Sequence, residues 1–359
     1  MAAALALGRR HLGQTWPNPS VGALVVREEA AGPLLVARGA TAPGGRPHAE
    51  PQALAAAGAA ARGATLYVTL EPCSHQGRTP PCVEAIRDSG IARVVAAIED
   101  PDPRVAGRGF AYLRGLGVEV SVGAGAAEAR LAHAGHIRRV RDGRPHVMLK
   151  LAVSADGKVG LAGRRPAAIT GEAARGRVHL MRATHDAVLT GIGTVLADDP
   201  LLTCRLPGMA ERSPLRIVLD GELRLPLASR LVRSVAEAPV WVIASEDAPV
   251  APELALKAAG VEVMRVRRGS DGRPDPAEAL ELLALRGITR LMVEAGPRIA
   301  AGFVRAGLID EVALFESPLP LGADALDAVD GLPVAALTAG LTLAETETHG
   351  RDRLSILRR

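Results

Sequence analysis

Four side chains in the first quarter of this 359-residue chain have the types and spacing to do chemistry: His48, Glu50, Cys73 and Cys82. A catalytic zinc takes imidazole nitrogen and thiolate sulfur from three protein side chains and keeps a fourth position for water. His48, Cys73 and Cys82 supply that set. Glu50, two residues past His48, is then free to carry protons. Two other readings use the same residues. His75 could close the shell as a fourth ligand and make the zinc structural, which would leave Glu50 without a purpose. Cys73 and Cys82 could instead pair as a disulfide, although in a cytosolic enzyme such spacing speaks for metal or catalysis.

These residues need elements to hold them. Gly44-Gly45-Arg46-Pro47 delivers His48 and Glu50 to a helix start, and the Ala-rich run from Ala53 to Ala61 continues that helix. A strand over Thr65 to Thr69 feeds the cysteine loop, and Pro80-Pro81 favours a helix beginning near Cys82. All three candidate ligands thus fall at or near helix N-termini, where the positive end of the dipole favours thiolate. Upstream, Val21 to Val26 and Leu34 to Arg38 read as a hairpin. Downstream, a strand over Val94 to Ile98, a helix to Leu116 and a strand over Val118 to Val122 give a βαβ alternation. That alternation implies an α/β sandwich with a largely parallel sheet. Asn18 stands between prolines in Trp16-Pro17-Asn18-Pro19. Its amide can donate and accept at once, which suits the edge of a pyrimidine base, and an ordinary turn residue fits the same spacing. Asp100-Pro101-Asp102-Pro103 reads as a turn.

Hydrophobic residues make up 48% of the chain but aromatics only 2%, so its cores must be built of Ala, Val and Leu. Net charge is +4, which suits phosphorylated ligands. No basic stripe interleaved with aromatics argues for nucleic acid. No apolar run approaches a membrane span. Met1 to Leu7 is apolar and precedes Arg9 and Arg10, whereas a secretory signal puts its positive charge first. The expectation is a short amphipathic helix in a cytoplasmic protein, and homo-oligomerisation is left open. Cys204 reads as a small buried hydrophobe.

From Gly123 an Arg-rich helix runs to Asp142-Gly143-Arg144-Pro145, and the domain boundary is placed there, giving domains 1–144 and 145–359. A second α/β series follows, with strands at Val147 to Val153, Ala187 to Thr190, Arg216 to Leu219, Val240 to Ile243, Val261 to Val266, Leu291 to Glu294 and Val312 to Phe315. A closing antiparallel pair is expected near Leu341 to Glu345 and Arg353 to Leu357. No G-x-G-x-x-G fingerprint occurs, so a Rossmann reading fails. Glu294-Ala295-Gly296-Pro297 is a strand end feeding a helix start, where free N–H groups can hold a phosphate. Thr194 opens a short helix in the same manner. Arg175, His179 and Arg182 share a helix face, and for the first two a solvated face is the expectation.

His-x-Glu followed by Pro-Cys and a second Cys is the signature of zinc-dependent nucleobase deaminases. Here eight residues separate the cysteines, in the run Cys-Ser-His-Gln-Gly-Arg-Thr-Pro-Pro-Cys. This resembles the deaminase half of the bifunctional riboflavin-biosynthesis deaminase–reductases. The second half resembles the same family in Leu149-Lys150-Leu151-Ala152-Val153-Ser154-Ala155-Asp156-Gly157-Lys158, in Ile169-Thr170-Gly171 and in Arg182-Ala183-Thr184-His185-Asp186-Ala187. The resemblance continues in the run from Gly193 through Asp198-Asp199-Pro200 to Arg205, and in Glu294-Ala295-Gly296-Pro297.

The resemblance implies an N-terminal cytidine-deaminase-like three-layer sandwich and a C-terminal dihydrofolate-reductase-like domain. It implies zinc-dependent hydrolytic deamination of 2,5-diamino-6-ribosylamino-4(3H)-pyrimidinone 5′-phosphate, then reduction of the ribosyl side chain to ribityl with NADPH. It further implies substrate contacts at Asn18, Lys150, Arg182, Leu202, Arg205 and Glu294. Arg182 and Arg205 would grip the ribose phosphate, as a guanidinium can do bidentately. Cofactor contacts are implied at Ala152, Ala168, Thr194, Asp198, Gly221 and the run Gly296, Pro297, Arg298, Ile299, Ala300, Ala301 and Gly302. Three departures stand out. Pro166-Ala167-Ala168 replaces the usual Ser-x-Trp, Gly221 replaces a Ser, and Pro51 replaces an apolar residue. The competing readings are a deaminase for another nucleoside or an RNA base, with the C-terminal half a non-catalytic binding module.

Overall fold

Short β-branched and leucine-rich runs alternate with alanine-rich helices along the whole chain, and each run has found a place in one of two large sheets. The computed structural model describes residues 1–165 and 167–359, with nothing said of the Arg164 side chain. The chain divides into two units, Met1–Arg144 and Pro145–Arg359.

In the first unit the strands are β1 (Gly22–Glu29), β2 (Gly32–Ala40), β3 (Thr65–Val68), β4 (Arg93–Ala96) and β5 (Glu119–Val122), in the order β2-β1-β3-β4-β5. The helices are α1 (Ala2–Gly8), α2 (Ala49–Ala57), α3 (Cys82–Ser89), α4 (Arg108–Gly115), α5 (Ala126–Ala132) and α6 (Ala134–Asp142). The sheet is evenly mixed rather than largely parallel. The β1–β2 hairpin turns β1 antiparallel to both β2 and β3, and only β3–β4 and β4–β5 are parallel. The expected single Arg-rich helix is two helices meeting at His133, whose Nε2 lies 3.1 Å from the Thr69 hydroxyl. The core is mostly alanine, valine and leucine, as expected from the composition, with Ile86, Ile91, Ile98 and Phe110 added. Small residues let backbones close up. A Cβ on Gly39 would lie 2.2 Å from the Ala49 carbonyl oxygen, so glycine is what lets the start of α2, with His48 and Glu50, seat on β2.

The second unit has a small antiparallel pair, β7 (Lys158–Gly160) with β14 (Leu326–Asp327), which was not legible in the sequence because it is only two or three residues long. Its main strands are β6 (His146–Val153), β8 (Ala187–Gly191), β9 (Leu215–Leu219), β10 (Val240–Ser245), β11 (Glu262–Val266), β12 (Arg290–Val293), β13 (Glu311–Glu316), β15 (Thr342–His349) and β16 (Asp352–Arg358). They form a nine-stranded sheet in the order β11-β10-β9-β8-β12-β6-β13-β16-β15. Helices α7 (Glu172–Ala183), α8 (Ile192–Asp198), α9 (Arg230–Arg233), α10 (Val250–Ala258), α11 (Pro276–Leu285) and α12 (Pro297–Arg305) connect the strands. From β11 to β13 all pairings are parallel, and β13–β16 and β16–β15 are antiparallel. Central strands β8 and β9 are buried along their whole length, as parallel strands covered on both faces must be. Edge strand β15 is exposed and carries Thr and Glu, which discourages further strand pairing.

Candidate functional sites

In the first unit, His48 is the N-cap of α2 with extended backbone angles, and Glu50 lies buried in the first turn of that helix. Cys82 opens α3, and Cys73 sits in the loop after β3. The Cys82 backbone N–H donates to Cys73 Sγ at 3.3 Å, so the α3 N-terminus faces the thiolate. His48 Nδ1 lies 3.3 Å from Cys82 Sγ and 3.8 Å from Cys73 Sγ. The three candidate ligand atoms all fall within 4.8 Å of one another.

Bond lengths of roughly 2.0 Å to nitrogen and 2.3 Å to sulfur in a tetrahedron place ligand atoms about 3.5 Å apart. The His48–Cys82 and His48–Cys73 spacings of 3.3 and 3.8 Å fit a zinc ion. His75 is not part of the cluster, which removes the four-ligand structural reading, and both cysteines are free thiols rather than a disulfide. Cys204 is free and buried, as expected.

The electrostatics suit the same ion. Cys82 as donor, and His48 beside it, pull the Cys73 thiol down to about 4. Cys82, hydrogen-bonded to that thiolate and buried, is pushed up. Burial, and then the Cys73 charge, raise the Glu50 carboxyl to about 7, against the pull of His48. Around the cluster, Arg46 Nη1 donates to the Thr79 hydroxyl at 2.6 Å and ties the His48 turn to the cysteine loop, a contact the sequence did not reveal. Asn18 Nδ2 donates to the Gly45 carbonyl at 3.0 Å, so one amide hydrogen is engaged in holding that turn and the rest of the amide remains for a ligand. The turn from Asp100 to Pro103 is structural. Asp100 Oδ1 accepts from the Asp102 N–H at 2.9 Å and meets His136 Nε2 at the same distance.

The second unit holds a cleft of about 1170 Å³, opening over the carboxyl ends of its parallel strands, the usual ligand position in such sheets. At one end Arg182 donates from Nε and Nη2 to the two carboxylate oxygens of Glu294, at 2.6 and 2.9 Å, and from Nη1 to the Thr203 carbonyl at 3.1 Å. Burial alone would raise the Glu294 carboxyl, but Arg182, Lys150 and His179 together hold it at about 2. Lys150 is lowered by burial. Arg205 lines the same end, and so does His179, half-buried where a solvated face was expected. Arg175 borders the cleft and stays exposed, as expected. His179 Nδ1 is 3.0 Å from the Thr203 carbonyl and 3.4 Å from the Arg205 backbone N–H.

Ala152, Ala168, Thr194, Asp198, Gly221, Gly296, Pro297, Arg298, Ile299 and Gly302 also line the cleft. Gly296 caps α12 without a side chain. Pro297 has no N–H, and the Ile299 and Ala300 N–H groups donate to the Gly296 carbonyl at 3.1 and 3.2 Å. Among the described residues the Arg298 N–H is therefore the first-turn donor left for a phosphate. Three expected contacts are not brought to the cleft. Ala300 and Ala301 are wholly buried, because the helical period that turns Arg298, Ile299 and Gly302 outward turns these two inward. Leu202 has a positive φ of 56° and points its side chain into the cluster of Val188, Val218 and Leu231. Pro166 lies outside the described residues.

Residues 1–98 match the family described as the cytidine and deoxycytidylate deaminase zinc-binding region, and residues 145–354 match the RibD C-terminal domain. The riboflavin biosynthesis protein RibD of Bacillus amyloliquefaciens is 41% identical over 322 residues, covering 90% of this chain and 84% of that protein. Its counterpart from Escherichia coli K12 is 40% identical over 337 residues, covering 90% and 88%. Among solved structures, Acinetobacter baumannii RibD is similar with a TM-score of 0.88 at 34% identity, over 99% of this chain and 97% of that one. A Thermotoga maritima diaminohydroxyphosphoribosylaminopyrimidine deaminase/5-amino-6-(5-phosphoribosylamino)uracil reductase is similar with a TM-score of 0.84, also at 34% identity, over 100% and 97%.

Proposed function

The chain belongs to the RibD family of bifunctional riboflavin-biosynthesis deaminase–reductases, and from that premise we propose which residues carry each half of its work. The fold is the expected pair, a cytidine-deaminase-like domain and a RibD-type, dihydrofolate-reductase-like reductase domain. The cofactors are zinc for the first and NADPH for the second. We assign residues 1–144 to deamination and 145–359 to reduction. The observation that carries the assignment is the triad of half-buried His48 and Cys73 with buried Cys82, and buried Glu50 in the adjoining helix turn.

His48, Cys73 and Cys82 hold the zinc. Zinc in such a site is a Lewis acid that makes water nucleophilic near neutral pH. Glu50 would take one proton from that water and give it to the pyrimidine ring nitrogen, then take the second from the hydroxyl of the adduct and give it to the departing amine, which leaves as ammonia. Its raised affinity for protons suits this shuttle. Asn18 orients the base with the part of its amide not bound to Gly45. The substrate is 2,5-diamino-6-ribosylamino-4(3H)-pyrimidinone 5′-phosphate, in keeping with the reaction named for the Thermotoga relative.

NADPH bound in the second unit would supply the hydride that reduces C1 of the opened ribosyl chain. Arg182 and Glu294 order that end of the cleft, and Lys150, Arg205 and the outer N–H groups of Arg182 give it the positive charge a ribose phosphate needs. The N-terminus of α12 with Arg298 receives the cofactor pyrophosphate, and Ala152, Ala168, Thr194, Asp198 and Gly221 line its path. Thiol ligands favour a reducing compartment, which supports a cytoplasmic location. No helix is long and apolar enough to cross a membrane among the described residues. The diffuse charge supports a small phosphorylated partner rather than nucleic acid.

The test is a coupled assay on the purified protein with zinc and NADPH. Ammonia release from the diaminopyrimidinone substrate, followed by NADPH oxidation, is expected. Release from cytidine or adenosine instead would reassign the deaminase. Deamination without any NADPH oxidation would remove the reductase assignment.

A further inference from the structure

The reductase cleft continues past Gly296 to a second end, where Gly221, Arg224, Arg268 and Arg273 line it near the ends of β9, β10 and β11. The three guanidiniums there differ in what already holds them. Arg268 donates to Asp247 Oδ1 at 2.9 Å, to Glu222 Oε1 at 2.6 Å and to the Gly272 carbonyl at 2.6 Å. Arg273 donates to Asp271 Oδ2 at 2.9 Å. Among the described residues no hydrogen bond reaches the Arg224 guanidinium. Its nearest carboxylate oxygen is Asp220 Oδ1, 3.8 Å from Nε, and its side chain is 58% exposed. That separation is beyond hydrogen-bond distance.

Asp220 is itself a fixed point. It is fully buried, its Oδ2 accepts the Leu225 N–H at 2.8 Å, and its Oδ1 has no hydrogen-bond partner. The arginine therefore leaves the turn after β9 beside an anchored charge and lines the cleft with a guanidinium that no hydrogen bond holds among the described residues. The distance is also suitable. Gly296 follows β12, and β8 is the one strand between β12 and β9, so the two turns are about 10 Å apart at ordinary strand spacing. A dinucleotide with its pyrophosphate at Gly296 extends its adenosine ribose over this distance. A 2′-phosphate on that ribose is a dianion in need of a cation with unused donors, and a guanidinium meets it bidentately. A 2′-hydroxyl has no such need.

We propose that Arg224 grips the adenosine 2′-phosphate and is the residue by which this chain distinguishes NADPH from NADH, an inference that rests on the NADPH-dependent reductase reading above. The full-length protein is titrated calorimetrically with NADPH, NADH, adenosine 2′,5′-bisphosphate and 5′-AMP. Arg224→Gln is expected to weaken NADPH and the bisphosphate by roughly tenfold to a hundredfold, the scale of a charge-assisted hydrogen bond. NADH and 5′-AMP should bind unchanged, and Arg224→Lys should keep part of the preference. Arg268→Gln, whose side chain is already occupied by carboxylates, should alter the NADPH-to-NADH ratio far less. An Arg224→Gln protein that keeps the wild-type ratio, or that loses NADPH and NADH equally, overturns the inference while leaving the reductase reading intact. Wild-type protein that binds none of the four nucleotides overturns both.

Discussion

Glu50 is buried and Glu294 nearly so, its side chain 11% exposed, and the two halves of the molecule treat them in opposite ways. Glu50 is raised to about 7, first by burial and then by the neighbouring Cys73 charge. Glu294 suffers a similar burial, yet Arg182, Lys150 and His179 outweigh it and hold the carboxyl at about 2. Removal from water raises either carboxyl, and the charges facing the group add to that rise or reverse it. An acid poised near neutrality can take and return a proton. One held far below neutrality is a permanent anion, useful for ordering cations around a phosphorylated ligand. The first unit thus handles protons and the second handles fixed charge.

The strongest challenge to this contrast is to empty the metal site. His48→Ala or Cys82→Ser should lose the single zinc and with it all deamination, because a three-ligand site has no spare donor. NADPH oxidation with pre-deaminated substrate should survive. Elemental analysis finding full zinc in either variant would end the metal assignment.

Next in size is the proton carrier. Glu50→Gln should keep its zinc while ammonia release falls by roughly a hundredfold to ten-thousandfold. Release at the wild-type rate would show that another group moves the proton, and Glu50 would no longer differ in kind from Glu294.

The fixed charge predicts stability rather than turnover. Glu294→Gln leaves Arg182 buried without its counter-charge, a loss of roughly 3–5 kcal/mol, visible in chemical denaturation as an earlier transition at unchanged zinc content. The pH dependence follows from the sign of the shift. Because the folded-state value of Glu294, about 2, lies below the ordinary glutamate value of 4.5, its contribution is complete above pH 4.5. It is lost as pH falls from there toward 2, and amounts to on the order of 3 kcal/mol. A Glu294→Gln protein should lack that part of the wild-type acid profile. Parallel profiles would mean that Glu294 is not held as an anion.

The smallest effect concerns Ala168, which is exposed at the cleft at the position where the family resemblance implies Trp. Ala168→Trp should add an aromatic surface for the nicotinamide and tighten NADPH several-fold, roughly three- to tenfold, by fluorescence titration. Unchanged or weaker binding would place the gap elsewhere than at the nicotinamide.

The zinc site was almost wholly legible in the sequence because its parts are local. His48 and Glu50 share one helix start, Cys82 opens another, and the proline and glycine signals around them fix where those helices begin. Apolar runs likewise revealed most strands of both sheets. The reductase cleft draws on residues from Lys150 to Gly302, carried on separate strands and loops, and no short-range pattern records which of them meet. Only the tertiary structure decided that Arg182 closes on Glu294 and that His179 is half-buried in the cleft wall. It also decided that Ala300, Ala301 and Leu202 turn into the core. Helical period says which residues share a face, but what that face packs against is settled by sheet order. Whether a buried carboxyl keeps or sheds its proton is settled by the charges that sheet order brings beside it.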